Sequence, residues 1–225
     1  MNAPKQGSSC GIVPWRVINL AEVISVLLSI LIMEWALAAF VVSPWLLGGP
    51  PLLAFGLMLY SHHCRAETAE TLGFAGGYFA RALLLLSAPT LLGMLMLVIV
   101  SYQTHSLHLP ERFWARLSVL PIWALLQQYV MLGFIYRRLR QCVQPYQTII
   151  ITAGLFALVH APNYSLMVLT FVGGLIWSFV YERAPNLFAP AISHMLLSAT
   201  LLIAVPESIL PAMTVGYRYL LHHNF

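Results

Sequence analysis

Six side chains able to exchange protons or hydrogen bonds interrupt otherwise apolar runs: Glu22, Glu34, Gln127, Gln128, His160 and His194. Such groups are costly in lipid, so they turn toward the inside of a helical bundle and often mark a site. Gln127 and Gln128 are adjacent, and neighbours on a helix point about 100° apart, an arrangement most easily satisfied around a polar cavity. His160 follows Phe156 by one helical turn, and His194 shares a helix face with Ser198. Imidazoles serve as acid or base near neutral pH, and amides and hydroxyls orient lone pairs and protons. Gln127, Gln128, His160, His194 and Ser198 are therefore the candidate site residues. Glu34, beside Trp35, reads as a structural carboxyl, protonated or hydrogen-bonded. Glu22 lies near the start of a span, where it can reach the interface. His62 and His63 border a polar patch and are expected at the interface.

Metal chemistry fits poorly. His160 and His194 are only two ligands where catalytic zinc takes about three from the protein, and Glu182, the nearest candidate in sequence, stands in a polar link beside Arg183. Ser198 and His194 do not make a hydrolase pair either, because the chain has no Asp and no nucleophile-elbow sequence surrounds Ser198. Neither a metal nor an organic cofactor is expected.

The elements that must position these groups follow from composition. Of 225 residues 60% are hydrophobic and 8% charged, with a mean hydropathy of +0.83. A soluble domain carries about 25% charged residues, so this chain cannot clothe a water-facing surface and must present an apolar exterior to lipid. An ordinary cytosolic enzyme, a disordered tail and a disulfide scaffold are excluded. With about 20 apolar residues needed per crossing, the spans read as Val17 to Val42, a short run from Leu52 to Tyr60, Tyr78 to Val100, Phe113 to Tyr136, Thr148 to Val159, Leu166 to Tyr181, and Leu187 to Val205, which Pro206 ends. The Gly48–Pro51 GGPP segment predicts a turn, and Ser61 to Glu70 an interfacial stretch. Gly173-Gly174 predicts a close-packing point. The fold class is all-α: a polytopic integral membrane bundle of about seven transmembrane helices. Residues 1–112 carry the N-terminal spans and the interfacial segment, 113–205 the motif-bearing core, and 206–225 a C-terminal tail.

Alternating spans with the N-terminus inside place Lys5, Arg16, Arg65, Arg81, Arg137, Arg138, Arg140 and Arg183 on the cytoplasmic side, against Arg112, Arg116 and Arg218 outside. This bias predicts a cytoplasmic N-terminus in a plasma (inner) membrane. If the second run is re-entrant, the count becomes six and the N-terminus flips. The formal charge of +4 is too scattered for a nucleic-acid partner; the expected partners are the lipid bilayer and a membrane-associated protein or peptide. Cys10, Cys64 and Cys142, far apart and odd in number, read as free thiols.

From Ile122 to Ala199 the chain resembles the CAAX prenyl protease and bacteriocin-processing family of intramembrane proteases. That family's motifs read Glu-Glu-x-x-x-Arg followed by Gly, an aromatic-rich stretch and basic residues; then Phe-x-x-x-His; then His-x-x-x-Asn or a small polar substitute. The corresponding segments here are QQYVMLGFIYRRLR, FALVH and HMLLS, the last led in by YERAPNLFAPAISH. Phe156, His160, His194, Ser198 and Gly133 fit the pattern. Gln127 and Gln128 replace its two glutamates, and Leu132 replaces its arginine.

The resemblance implies an endopeptidase in which a glutamate and a histidine activate water and the last motif stabilises the oxyanion. Peptide hydrolysis needs a base near the water and donors near the developing charge. His160 can supply the imidazole, and His194 with Ser198 can line the oxyanion site, whereas the two glutamines keep the shape of glutamates without their basicity. Loss of both carboxylates and of the arginine looks like one coordinated replacement, so slow or absent hydrolysis through a glutamate mechanism is expected. Three readings stay open at this point: an intramembrane endopeptidase working through His160, an inactive relative that binds a membrane protein or peptide, and a small transporter or lipid-handling protein.

Overall fold

The computed structural model describes residues 14–40, 43–205 and 213–223. Lys5, Cys10, Val42 and Pro206, named above, lie outside them. Among the described residues the chain is all-helical, without a strand. Helix α1 spans Trp15–Phe40 and contains a π-helical segment at Ile32–Leu37. Then come α2 (Pro44–Cys64), α3 (Phe79–Gln103) and α4 (Phe113–Arg140), which is π-helical from Tyr129 to Tyr136. Helices α5 (Pro145–Leu158), α6 (Tyr164–Arg183) and α7 (Phe188–Ala204) complete the bundle, followed by the short α8 (Gly216–His223). By length and composition α1, α4, α6 and the stretch containing α3 can cross a membrane, while α5 and α7 are shorter apolar helices. The outer faces carry Trp45, Phe40, Leu53, Leu84 and Ile122 largely exposed. A water-facing protein would bury such side chains, each stabilised by about 1.5–3 kcal/mol on leaving water; here lipid covers them, and the protein is integral to a membrane.

Two sequence expectations need correction. The second apolar run is not a short piece from Leu52 to Tyr60 but the middle of a 21-residue helix. The GGPP segment is not a turn, because Gly48 to Pro51 continue that helix. Pro44 fits at the helix start, where a missing N–H costs nothing, but Pro50 and Pro51 remove the bonds to the carbonyls four residues earlier. Such breakers are tolerated in membrane helices, where neighbouring groups re-satisfy the freed carbonyls and no water competes for the backbone.

The Ser61–Glu70 patch also differs from expectation. It folds inward and clasps one end of the bundle. Arg138, fully buried, donates from Nε to Glu22 at 2.9 Å and from Nη2 to Glu67 at 2.7 Å and Ser61 at 3.0 Å. Arg65 donates to Glu22 and to Asn19, and Arg137 to Glu67. His62 is buried rather than interfacial; its Nδ1–H meets the Glu67 carboxylate at 2.7 Å. Burial works against the Glu67 charge, but the hydrogen bonds from His62, Arg138 and Arg137 outweigh it and hold the carboxyl well below the usual range. Glu22 does not snorkel, being anchored between Arg65 and Arg138.

The same end collects the other termini. Tyr136 and Arg140 bond Glu182 at the end of α6, Tyr181 bonds Leu72, and Asn186 bonds Ala75 just before α3. The start of α1, end of α2, start of α3, end of α4, end of α6 and start of α7 therefore meet, so these helices alternate in direction along the chain. The tripeptide Ala-Pro-Asn occurs twice, and each Asn caps the helix that follows: Asn163 accepts from Leu166 N–H and Asn186 from Ala189 N–H. Gly174 fulfils the close-packing expectation. A Cβ there would stand 3.0 Å from the Cα of Ala153, so α5 and α6 touch backbone to backbone. Gly173 does not; the Trp177 ring one turn later fills its space.

Candidate functional site

Toward the other end, α4, α5, α6 and α7 bring together the residues of the three motifs. Gln128 is fully buried on α4, and its amide Nε2 donates to Nδ1 of His194 on α7 at 3.3 Å. A Nδ1 that accepts leaves the proton on Nε2, so His194 presents an N–H. His160, at the end of α5, has the complementary arrangement. Its Nδ1 lies 2.6 Å from the Phe156 carbonyl, which can only accept, so Nδ1 carries the proton and Nε2 keeps its lone pair. One ring is thus set to donate and the other to accept.

Phe156 separates and registers the two imidazoles. Its ring meets His160 edge-on at 4.9 Å and His194 at 6.0 Å between centroids. Trp177 of α6 stacks on His194 at 4.7 Å and is itself fixed, because its indole N–H donates to Ser193 at 3.0 Å, and Ser193 shares a 2.7 Å hydrogen bond with Thr90 of α3. The His194 ring is therefore held by an amide at its nitrogen and an indole on its face. Trp177, Ser193 and Thr90 are site residues that the sequence reasoning missed. A visible signal was an indole N–H in an apolar helix, which needs a buried acceptor.

The remaining candidates make no hydrogen bond to these three. Gln127 and Ser198 are half-buried, and neither side chain hydrogen-bonds to another described residue, so the structure joins Gln128, His160 and His194 but not the full set of five. The two glutamines do point in different directions, one buried and one partly open, as their spacing predicts. Leu132 is fully buried in the apolar core with Phe134 and Tyr136. The buried arginine of α4 is instead Arg138, paired with glutamates of other segments. Glu182 is bonded to Tyr136 and Arg140.

Several polar atoms around this region are buried without a partner: Gln128 Oε1, Thr152 Oγ1 on α5 and Ser178 Oγ on α6. Glu34 does not fit the hydrogen-bonded structural reading, since its Oε2 is also buried and unpartnered. Buried polar groups are ordinarily satisfied; at the clasp His62 Nε2 and Arg137 Nε are unpartnered as well.

Residues 109–200 match the family model described as type II CAAX prenyl endopeptidase Rce1-like. The match takes in α4, α5, α6 and most of α7, the helices that bear the three motifs, and supports the resemblance of this part of the chain to the CAAX protease family. No curated protein and no solved structure matches the chain.

Proposed function

We propose that the protein is an intramembrane endopeptidase that cleaves a membrane-associated protein or peptide, with His160 as the base and His194 as the oxyanion donor. The observation that supports this best is the opposite proton arrangement of the two imidazoles. With Nδ1 bonded to the Phe156 carbonyl, His160 offers Nε2 to a water. With Nδ1 bonded to Gln128, His194 offers Nε2–H to the carbonyl oxygen that becomes negative. Gln128 orients His194, and Ser198 and Gln127 are proposed to line the same cavity from its open side. General acid–base assistance is worth about 10²–10⁴-fold, and a preorganised oxyanion donor about 10²–10³-fold. In this reading the N-terminus is cytoplasmic and the membrane is the plasma (inner) membrane, the basic residues at the end of α4 lying on the inner face.

A second reading, a catalytically silent relative that holds a membrane peptide in the same cavity, is favoured by one observation. Two amides stand where proton-accepting carboxylates are expected. Purified protein in liposomes, given a lipidated peptide, separates the two. Cleavage abolished by His160→Ala and by His194→Ala supports the peptidase. Peptide binding that needs Gln128 and His194, without cleavage, supports the silent relative. Cysteines at positions 5 and 140 that label from opposite faces would overturn the topology.

A further inference from the structure

Of the described glutamates, Glu22, Glu67 and Glu182 are ion-paired, and Glu70 and Glu111 are exposed. Only Glu34 has a buried carboxyl oxygen without any partner. It sits in the π-helical segment of α1, a departure from α-geometry that is frequent at functional sites.

Like the imidazole site, it lies away from the clasp. Glu22 and Arg138 are bonded to each other at one end of the bundle. Glu34 lies twelve residues along α1 from Glu22, and Gln128 ten residues along α4 from Arg138, so both stand well away from that end. A lateral link also joins Glu34 to His160. The N–H of Gly216 donates to the carbonyl of Ala161, the residue after His160, at 2.8 Å. On its other side Gly216 lies so close to Glu34 that a Cβ would meet the Glu34 carbonyl oxygen at 2.5 Å and its Cβ at 2.9 Å. Gly216 has φ +60, a backbone region open chiefly to glycine. Asn163 fastens the same strap by donating to the Thr214 carbonyl. One glycine thus holds the Glu34 turn of α1 against the His160 turn of α5.

We propose that Glu34 is the acid of this site, delivering the proton that the departing amine needs. The inference rests on the peptidase reading above. His160 Nε2 takes a proton from water as the water oxygen bonds to the scissile carbonyl carbon, and the C=O π pair moves onto oxygen, facing His194 Nε2–H. The oxygen pair then re-forms the carbonyl, the C–N bond breaks, and its electron pair takes the proton of the Glu34 carboxyl. The His160 imidazolium returns a proton to Glu34, so water and peptide become acid and amine and the protein is unchanged. Three neutral side chains of Gln128, His160 and His194 thereby act with one carboxyl brought from outside the matched segment.

The test compares an amide substrate with its ester counterpart bearing an activated phenol, a leaving group that departs without a proton. The full-length protein in liposomes is used throughout. Glu34→Gln is expected to lose about 10²–10⁴-fold in kcat on the amide and only a few-fold on the ester, with KM unchanged. Glu34→Asp is expected to recover part of the amide rate, and His160→Ala to lose both activities. Equal loss on both substrates marks Glu34 as structural and overturns the proposal, as does full amide activity in Glu34→Gln; either result leaves the peptidase reading standing. Wild-type protein that cleaves neither substrate overturns the peptidase reading, and the proposal falls with it.

Discussion

Two polar clusters lie inside this bundle, and they are built differently. At the clasp, Glu22, Glu67, Arg65, Arg137 and Arg138 carry full charges, and every carboxylate is bonded by at least two donors. Deeper along α4, Gln128 and His194 share one long hydrogen bond and His160 bonds a carbonyl of its own helix turn, with amide and hydroxyl oxygens unpartnered on α4, α5 and α6. Removing a partner from a buried ionic cluster exposes a buried charge. Removing a partner from a neutral, half-satisfied one exposes little. The clasp therefore holds the fold, and the deeper cluster is free to hold something else. Mutations should separate the two by their effect on stability.

The largest effect is expected at the clasp. Arg138→Leu leaves Glu22 and Glu67 each short of a partner in a buried setting, which costs about 3–5 kcal/mol. Reversible unfolding in detergent or bicelles checks this, and a loss below about 1 kcal/mol would remove the distinction between the clusters. Acid attacks the same place. The Glu67 carboxyl titrates well below its unfolded value, so its contribution is complete above about pH 4.3 and drains away as pH falls below that toward the folded value. Melting curves at pH 7, 5 and 3 should show little change over the first interval from this group and a clear drop over the second. Glu67→Gln should flatten that drop.

How much of this contrast was legible in sequence differs between the two clusters. Gln128, His160 and His194 could be singled out because polar residues in apolar helices are few and fall at helical spacing. Their convergence follows from packed helices that alternate in direction. The clasp was not legible, although each of its members was visible. Ser61 to Glu70 has the composition of an interfacial loop, and only the chain's return between α2 and α3 turns His62 and Glu67 onto Arg138. Helix α2 was hidden for a different reason: Gly48-Gly49-Pro50-Pro51 ends helices in water, where the freed carbonyls and the alternative turn are both well solvated, and lipid removes that alternative. Trp177, Ser193 and Thr90 were missed because their link is tertiary, running across α6, α7 and α3.

A smaller effect is expected where α5 meets α6. Gly174→Ala puts a methyl 3.0 Å from the Ala153 Cα, which is backbone and cannot turn aside. The helices must separate, at a cost of about 1–3 kcal/mol. Since α5 carries His160 and α6 carries Trp177, the site should loosen as well, seen as a fall in kcat larger than the change in melting. Gly154→Ala, one residue after Ala153 and with open space at its Cβ, is the control and should leave both unchanged.

Ser193→Ala comes next. It takes away the acceptor of the Trp177 indole and the partner of Thr90, two hydrogen bonds together worth about 1–2 kcal/mol. The indole is then free to tilt on His194. Trp177 fluorescence, with the other tryptophans replaced by Phe, should broaden and shift, and a spectrum identical to that of the unmodified Ser193 background would show that the indole is held by packing alone.

The smallest effect on stability is expected at Gln128, and it sharpens the comparison most. Gln128 makes a single 3.3 Å hydrogen bond to His194 while its Oε1 is buried without a partner. Hydrogen bonds between membrane helices average about 0.6 kcal/mol, and leaving a buried acceptor unmet costs about 1–3 kcal/mol. Gln128→Met, of similar volume and flexible enough to fill the same space, removes both terms, so the fold should keep its stability to within about 1 kcal/mol or gain slightly. The site should not survive so well. Without the amide, nothing holds the proton on His194 Nε2, and the ring is free to take the other tautomer and turn its lone pair toward a substrate carbonyl. Cleavage, or peptide binding in the silent reading, should fall by at least about tenfold while the melting curve stays put. A Gln128→Met protein as unstable as Arg138→Leu would show that the deeper cluster is a second clasp, and the difference in chemistry between the two ends of α4 would then carry no functional meaning.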